Sequence, residues 1–157
     1  MSAYVDFFIR NKDEFIPIAD YSRNSMIYSI VNDDVPYEKI RAIATQDISR
    51  FINIAAEKIR DYEQRIRKEK ECIKLIATFN NDIEEKLEVI AQREESIEEY
   101  TQSIEECTYA KNFFSFLTEL IEARRWEENR SININEYIYA GIEIERPTAE
   151  DICEVKE

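Results

Sequence analysis

The stretch of sequence that decides the fold runs from Thr45 to Ile76 and reads TQDISRFINIAAEKIRDYEQRIRKEKECIKLI. Its apolar residues recur at alternating steps of four and three positions, interrupted by Glu69: Ile48, Ile52, Ala55, Ile59, Tyr62, Ile66, Ile73 and Ile76. This spacing keeps them on one stripe of an α-helix and is typical of a coiled-coil seam. It predicts a long helix with Thr45 as its N-cap and Asp47 in its first turn.

A second helical register follows Asn80, Asn81 and Asp82, which interrupt the first helix and offer a new N-cap. Its predicted seam positions are Ile83, Leu87, Ile90, Glu94, Ile97, Tyr100, Ile104, Cys107, Ala110, Phe114, Leu117 and Ile121, with a slip of one residue between Glu94 and Tyr100. Two long helices joined by a few residues fold back on each other. We therefore predict an antiparallel helical hairpin over residues 45–126.

The segments on either side of the hairpin alternate with the two-residue period of strands. Residues 4–9 and 15–18 predict a β-hairpin, and Pro17 predicts that its second strand lies at a sheet edge. A short helix is predicted over 22–31 and a further strand over 131–146. The predicted class is α+β, with a long antiparallel α-helical hairpin and a small three-stranded antiparallel sheet that combines the N-terminal hairpin with the C-terminal strand.

The length of 157 residues fits a single domain, residues 1–157. Within it, residues 1–44 carry the β-hairpin and short helix, 45–126 the helical hairpin, 131–146 the strand and 147–157 an acidic tail. Isoleucine dominates the apolar residues, which suggests an AT-rich genome. The N-terminus has no basic segment followed by an apolar run. We expect a cytoplasmic protein of a bacterium or a phage-infected host cell.

Composition argues against an enzyme. Gly141 is the only glycine and histidine is absent, so the chain cannot build a Gly-rich phosphate loop and lacks the usual general base and the commonest metal ligand. The cysteines Cys72, Cys107 and Cys153 show none of the close pairing of zinc sites and are expected to be reduced. We predict no catalytic residues, no metal and no cofactor.

The most conspicuous charged feature is an acidic face on the second helix. Its candidate partner-binding residues are Glu84, Glu88, Glu95, Glu98, Glu99, Glu105 and Glu106. Such a face imitates a phosphate backbone and would occupy the basic groove of a nucleic-acid-binding protein. The simpler interpretation is a solvated helix face. A formal net charge of −13 disfavours direct binding of nucleic acid.

A second candidate surface is basic. The predicted hairpin brings the two ends of its helices together, and with them the candidate ligand-binding residues Arg41, Arg50, Arg124, Arg125, Trp126 and Arg130. Guanidinium groups beside aromatic rings suit a small anion such as a nucleotide. The alternative is that arginines in a last helical turn only interact with the helix dipole.

The functional hypothesis is a non-enzymatic protein-interaction module without a membrane partner. A two-helix hairpin rarely buries its apolar stripe, so we expect a homodimer that forms a four-helix bundle. A phage or prophage accessory protein that inhibits a basic host factor, such as a nuclease or defence complex, would fit the size and charge. The alternatives are a protein that binds or sequesters a nucleotide-like anion, and an architectural coiled-coil subunit.

Overall fold

The computed structural model describes residues 3–78, 82–127 and 136–153. Its elements are β1 (Tyr4–Asn11), β2 (Glu14–Ser22), α1 (Met26–Val31), β3 (Arg41–Ala42), α2 (Thr45–Thr78), α3 (Ile83–Glu127) and β4 (Ile138–Ile142), followed by a short 3-10 helix (Ala149–Asp151). The predicted α+β class and the pairing of two long helices are confirmed. The chain divides into two compact units, which we name the sheet unit (Met1–Ile54 with Ala110–Glu157) and the hairpin unit (Ala55–Tyr109).

The sheet has four antiparallel strands in the order β2-β1-β4-β3, so the predicted number of three was wrong by one. The missed strand, β3, contains two residues, which is too short for an alternating pattern to be recognised. The strand with Pro17 lies at the edge of the sheet, as predicted, because proline has no N–H to donate to a second neighbour. The first part of the predicted C-terminal strand, residues 131–135, lies outside the described residues.

Strand β4 is central, and all five of its residues are buried. In the predicted strand over 131–146, the two-residue alternation places Tyr139 on the face opposite the isoleucines, together with Glu143 and Glu145, which predicts a polar face. The structure differs, because the Tyr139 side chain is only 2% exposed. Its ring packs edge-on against Phe15 at 5.1 Å between centroids, and Arg10 donates a hydrogen bond to its hydroxyl at 2.9 Å. Tyr139, Phe15, Phe8 and Ile40 form a small core on this face, so both faces of the sheet are covered.

The helical segments of the sheet unit, which are the ends of the two long helices, pack on the sheet. Phe113 of α3 contacts Phe7 of β1 at 4.9 Å between ring centroids. Phe114 meets Phe51 of α2 at 5.3 Å. Both pairs are buried, and aromatic contacts of this kind contribute about 0.5–1.5 kcal/mol beyond their area burial.

Helix starts differ from the sequence-based bounds by small amounts. Thr45 is the first residue of α2 and not its cap; the N–H of Ala44 instead donates to the Asp47 carboxylate at 3.0 Å. Asp82 caps α3 as predicted, accepting a hydrogen bond from the N–H of Glu84 at 3.0 Å. Helix α1 begins after Ser25, later than predicted, because the residues up to Ser22 belong to β2. The Ser25 side chain caps the helix by accepting a hydrogen bond from the N–H of Tyr28.

In the hairpin unit, α2 and α3 run antiparallel and pair along a regular seam. Tyr62 faces Tyr100 at 6.0 Å, and Arg93 binds Glu69 at 3.1 Å. Glu94, a predicted seam residue, is exposed. Arg93 takes its place because its guanidinium reaches Glu69, whose side chain is only 16% exposed. With Arg93 on the seam, positions 90, 93, 97, 100, 104 and 107 follow strict steps of three and four, and the predicted slip disappears.

The seam prediction was also wrong at the start of α3. Leu87 is 62% exposed and Ile83 is 71% exposed. Lys86 lies half-buried at the seam position in place of Leu87, and its ammonium group donates to the Ala77 carbonyl at 3.5 Å. Among the helices that the structure describes, none combines the length and apolarity of a membrane span.

The single glycine is required by a close backbone approach. A Cβ at Gly141 would lie 2.1 Å from the carbonyl oxygen of Lys39 and 2.8 Å from the side chain of Ile144. The chain that follows Tyr37 runs beside β4 at this point. The segment 148–153 pairs in turn with this chain, because the backbone N–H of Cys153 donates to the Ile40 carbonyl at 2.7 Å.

Candidate functional site

All seven predicted partner-binding glutamates are exposed on α3. If Ile90, Ile97 and Ile104 are labelled a in the heptad abcdefg, the glutamates fall on positions b, c and f, which face away from the partner helix. We name this set, Glu84, Glu88, Glu95, Glu98, Glu99, Glu105 and Glu106, the glutamate stripe. None of its carboxylates forms an ion pair with any residue that the structure describes.

The spacing of the glutamate stripe makes it a continuous source of negative potential. At a rise of 1.5 Å per residue it spans roughly 33 Å, or one carboxylate per roughly 5 Å. That spacing is shorter than the Debye length of about 8 Å at physiological salt, so neighbouring fields overlap. One strand of DNA carries a phosphate per about 3.4 Å of axis. The stripe is therefore comparable to, but less dense than, a phosphate backbone.

The two helices of the hairpin unit differ in charge. Residues 57–74 of α2 contain seven basic and five acidic side chains, whereas residues 83–109 of α3 contain nine acidic and two basic ones. The Glu69–Arg93 pair crosses between the helices. The negative potential is thus concentrated on α3.

Two of the predicted ligand-binding arginines meet at one aspartate of the sheet unit. Arg50 pairs with the carboxylates of Asp34 and Asp47, each at 3.0 Å. Arg41 donates to the main-chain carbonyl of Asp34 at 3.0 Å. The two charge-assisted contacts of Arg50 raise its pKa, the bond to Asp34 contributing most. Both arginines thus already have acidic or carbonyl partners within the chain.

Arg124, Arg125 and Trp126 of the predicted arginine set lie near the end of α3. The Arg124 guanidinium lies 5.5 Å from the ring centroid of Tyr137, and Arg125 pairs with Glu122 at 3.3 Å. Trp126 is 88% exposed. Arg130 lies outside the described residues. Since the described arginines contact groups of the chain itself, anion binding by this set stays a prediction.

The structure shows a third surface that the sequence did not predict, a cavity of about 510 Å³ on the sheet. Four carboxylates and four other side chains line it, and we name it the carboxylate cavity: Tyr4, Asp6, Phe8, Pro17, Asp20, Glu143, Ile144 and Glu145. Acidic groups above apolar walls suit an organic cation, such as the head and stem of a lysine or arginine side chain. Among the described residues, no group of Cys, Asp and Glu is arranged to hold a metal ion.

A β-bulge sets the pairing of two carboxylates that line the cavity. Between Phe7 and Phe8 the pairing of β1 with β2 shifts by one residue, so that Asp6 faces Asp20. Continued regular pairing from the turn would have placed Asp6 opposite Ala19 instead. Like charges directly opposite each other destabilise a sheet. The hairpin itself was predictable from the sequence. Pro17, which pairs with Phe8 beside the bulge, is the one signal that could have indicated the irregularity, because proline within a strand marks a sheet edge or a bulge.

The electrostatics of the carboxylate cavity centre on Asp6. Burial raises the pKa of Asp6 from 3.8 to about 6; a hydrogen bond with the backbone of Ile144 lowers it, and the charges of Asp20 and Glu145 raise it. At the rim, the hydroxyl of Tyr37 donates to Glu143, a bond that raises the Tyr37 pKa. A bound cation would favour the ionised form of Asp6.

Comparisons of the chain with family models, with curated proteins and with solved structures found no match. Three surfaces therefore stand as candidates on their geometry and charge alone. They are the glutamate stripe of the hairpin unit, the arginine set and the carboxylate cavity of the sheet unit.

Proposed function

We propose that this protein is a non-enzymatic interaction module that binds a basic partner protein through the glutamate stripe. The observation that carries the proposal is the alignment of seven exposed carboxylates, unpaired by any described cation, on the outer positions of one helix. Outer positions of coiled coils usually mix both signs, which supports solubility and adds favourable pairs along the helix. A single sign over roughly 33 Å instead suits a positively charged groove.

The biological role that fits such binding is inhibition by occupation. A nuclease or a defence complex binds nucleic acid in a basic groove, and a rigid acidic helix seated there excludes the phosphate backbone. We therefore propose a phage or prophage accessory protein that blocks a basic host factor. The interaction should weaken steeply with added salt, as nucleic-acid binding does. The counterions held near the carboxylates are released when basic side chains of the partner neutralise them, and added salt opposes this release.

The carboxylate cavity supports the same chemistry from the sheet unit. Its walls of Tyr4, Phe8 and Pro17 suit the aliphatic stem of a lysine or arginine, and Asp6 and Asp20 suit the cationic head. A basic protein offers such side chains in number. Both units thus present carboxylates that pair with no described cation, and both suit a positively charged partner.

The test compares two triple variants in capture and competition experiments. Glu88, Glu95 and Glu99 of the stripe are changed to glutamine in one variant; Glu57, Glu63 and Glu71, exposed on α2, are changed in the matched control. Each variant removes the same charge from the same unit. The tagged protein is used to capture partners from bacterial lysate, and the partner identified by mass spectrometry is purified.

We expect the purified partner to be a basic nucleic-acid-binding protein whose fluorescent double-stranded DNA is displaced by the wild type. The stripe variant should need about tenfold more protein or worse for the same displacement, about 1.4 kcal/mol, and the α2 variant should match the wild type. Recovery of the protein's own subunits alone would argue strongly against the proposal. Equal weakening by both triples would show that net charge, and not the stripe, is responsible.

Exposure of Trp126 favours one alternative, the binding of a nucleotide-like anion beside Arg124 and Arg125. Thermal-shift screening with nucleotides distinguishes it, since a ligand of the folded state raises the melting temperature by mass action. Arg125→Ala should abolish such a shift, whereas the interaction module predicts no shift. An architectural subunit would instead give a large, discrete oligomer in light scattering.

A further inference from the structure

A group of exposed apolar side chains lies where α2 ends and α3 begins, beside the ammonium group of Lys86. Ala77, Ile83 and Leu87 are all exposed, and we name them the end patch. If Ile59, Ile66 and Ile73 are labelled a in α2, and α3 keeps the labels given above, Ala77 and Leu87 occupy e positions of α2 and α3. In an antiparallel pair the e positions of both helices border the same side of the seam, so the two residues share one flank. Ile83, four residues before Leu87, lies on the same side of α3.

The seam beneath this flank is incompletely covered. Ile66, Ile73, Ile76, Ile90 and Ile97 are each only half-buried. Within the described part of the hairpin unit, Ala55 and Cys107 are the buried apolar residues, and both lie far from the end patch along the helices. Two helices cannot enclose a stripe of this width, whereas four can.

We infer that the end patch is covered by a second copy of this chain, with the two hairpin units side by side and their patches in contact. The opposite charges of α2 and α3 favour a second copy as the partner and favour one orientation of the two copies. A two-fold axis parallel to the helices places each base-rich α2 against the acid-rich α3 of the other copy. An axis across the helices would set α2 against α2, which repels. The parallel arrangement alternates charge around a four-helix bundle and puts both end patches at the same end.

The neighbouring e positions fit this orientation. One heptad from the end patch, α2 carries Lys70 and α3 carries Glu94, both exposed. In the two-fold arrangement Lys70 faces the partner's Glu94. Such flanking pairs set partner choice and orientation in helical bundles. The c and f positions of the glutamate stripe, which include Glu88, Glu95 and Glu99, remain open, so self-pairing and the binding of a basic protein use different sides of α3.

Sedimentation velocity of the full chain over a concentration series tests the inference. We expect a reversible monomer–dimer equilibrium for the wild type. Leu87→Glu should raise the dimer Kd about tenfold or more, because it places a charge in the patch. The matched control is Leu75→Glu: Leu75 is 60% exposed, at the same end of the hairpin unit, but lies on the outer c position of α2. It should leave the Kd unchanged, and circular dichroism checks that both variants stay helical.

A charge exchange tests the orientation. Lys70→Glu alone should weaken the dimer, and adding Glu94→Lys should restore it, because the pair is reversed across the interface. A wild type that stays monomeric at every concentration overturns the inference. So does equal weakening by Leu87→Glu and Leu75→Glu. A double variant that is weaker than Lys70→Glu overturns the orientation. The stripe variant should dimerise normally, so failure of this interface and failure of the partner interaction are separable.

Discussion

The Asp6 carboxyl group is held in an environment that disfavours its charge. It lies opposite Asp20 in the sheet, and burial raises its pKa from 3.8 to about 6. Each pKa unit corresponds to about 1.4 kcal/mol, so ionised Asp6 costs the folded state at most about 3 kcal/mol. Water reaches the side chain in part, which screens the interaction and reduces the expected cost to about 1–2 kcal/mol.

The sign of the pH dependence follows from the direction of this shift. Because the folded-state pKa lies above the unfolded one, the folded protein retains a proton between about pH 4 and pH 6 that the unfolded chain has lost. The favourable contribution is complete below the unfolded pKa and disappears as the pH rises through about 6. Asp6→Asn removes the charge and retains an oxygen for the hydrogen bond with Ile144. At about pH 7.5 it should stabilise the fold by about 1–2 kcal/mol, or raise Tm by roughly 2–8 °C.

Thermal unfolding followed by circular dichroism from about pH 4 to pH 8 measures this effect. The gain from Asp6→Asn should be largest at the alkaline end and vanish at the acid end. Asp33→Asn, in the exposed loop after α1, is the matched control and should change Tm little at any pH. If Asp6→Asn is no more stable than the wild type at about pH 7.5, or if its gain is the same at both ends, the electrostatic account of the cavity is wrong.

Two further predictions concern buried positions. Gly141→Ala places a methyl group 2.1 Å from the Lys39 carbonyl, so it should destabilise the fold by about 1–3 kcal/mol and lower Tm by several degrees; an unchanged Tm would contradict the close approach. Burial raises the Cys107 pKa, so native protein treated with iodoacetamide at about pH 8 should be alkylated there far more slowly than at exposed Cys153, by peptide mass spectrometry; equal rates would show that α3 opens readily at this position.

The helical hairpin was predictable because its signal is long and redundant. Many apolar residues between Thr45 and Ile121 repeat at helical spacing, so a few exceptions do not hide the period. Its detailed register was not predictable from apolarity alone. Arg93 lies on the seam because Glu69 faces it from α2, and such a pair is recognised only when the two helices are aligned. Leu87 shows the converse, an apolar residue that the seam does not use.

The sheet was less predictable because its decisive features are short or non-local. Strand β3 is two residues long. The bulge between Phe7 and Phe8 changes the partner of Asp6, and although Pro17 pairs with Phe8 at the bulge, this proline predicted only that its strand lies at the sheet edge. Tyr139 belongs to a second small core that exists only because residues 40 and 152 pass over that face. Strand periodicity predicts which residues share a face but not whether that face is covered.

Both units keep carboxylates where the fold would be more stable without them. In the sheet unit Asp6 of β1 lies directly opposite Asp20 of the neighbouring strand β2. In the hairpin unit Glu84 and Glu88, like Glu95 and Glu99, stand four residues apart on one helix face, where like charges cost about 0.2–0.5 kcal/mol per pair. A lysine in place of either member would turn repulsion into attraction. Uncompensated charge of one sign is expected where its use lies outside the fold, because a cationic partner relieves the repulsion when it binds. Such a partner should therefore stabilise the chain by more than its contacts alone imply, and most strongly at low salt.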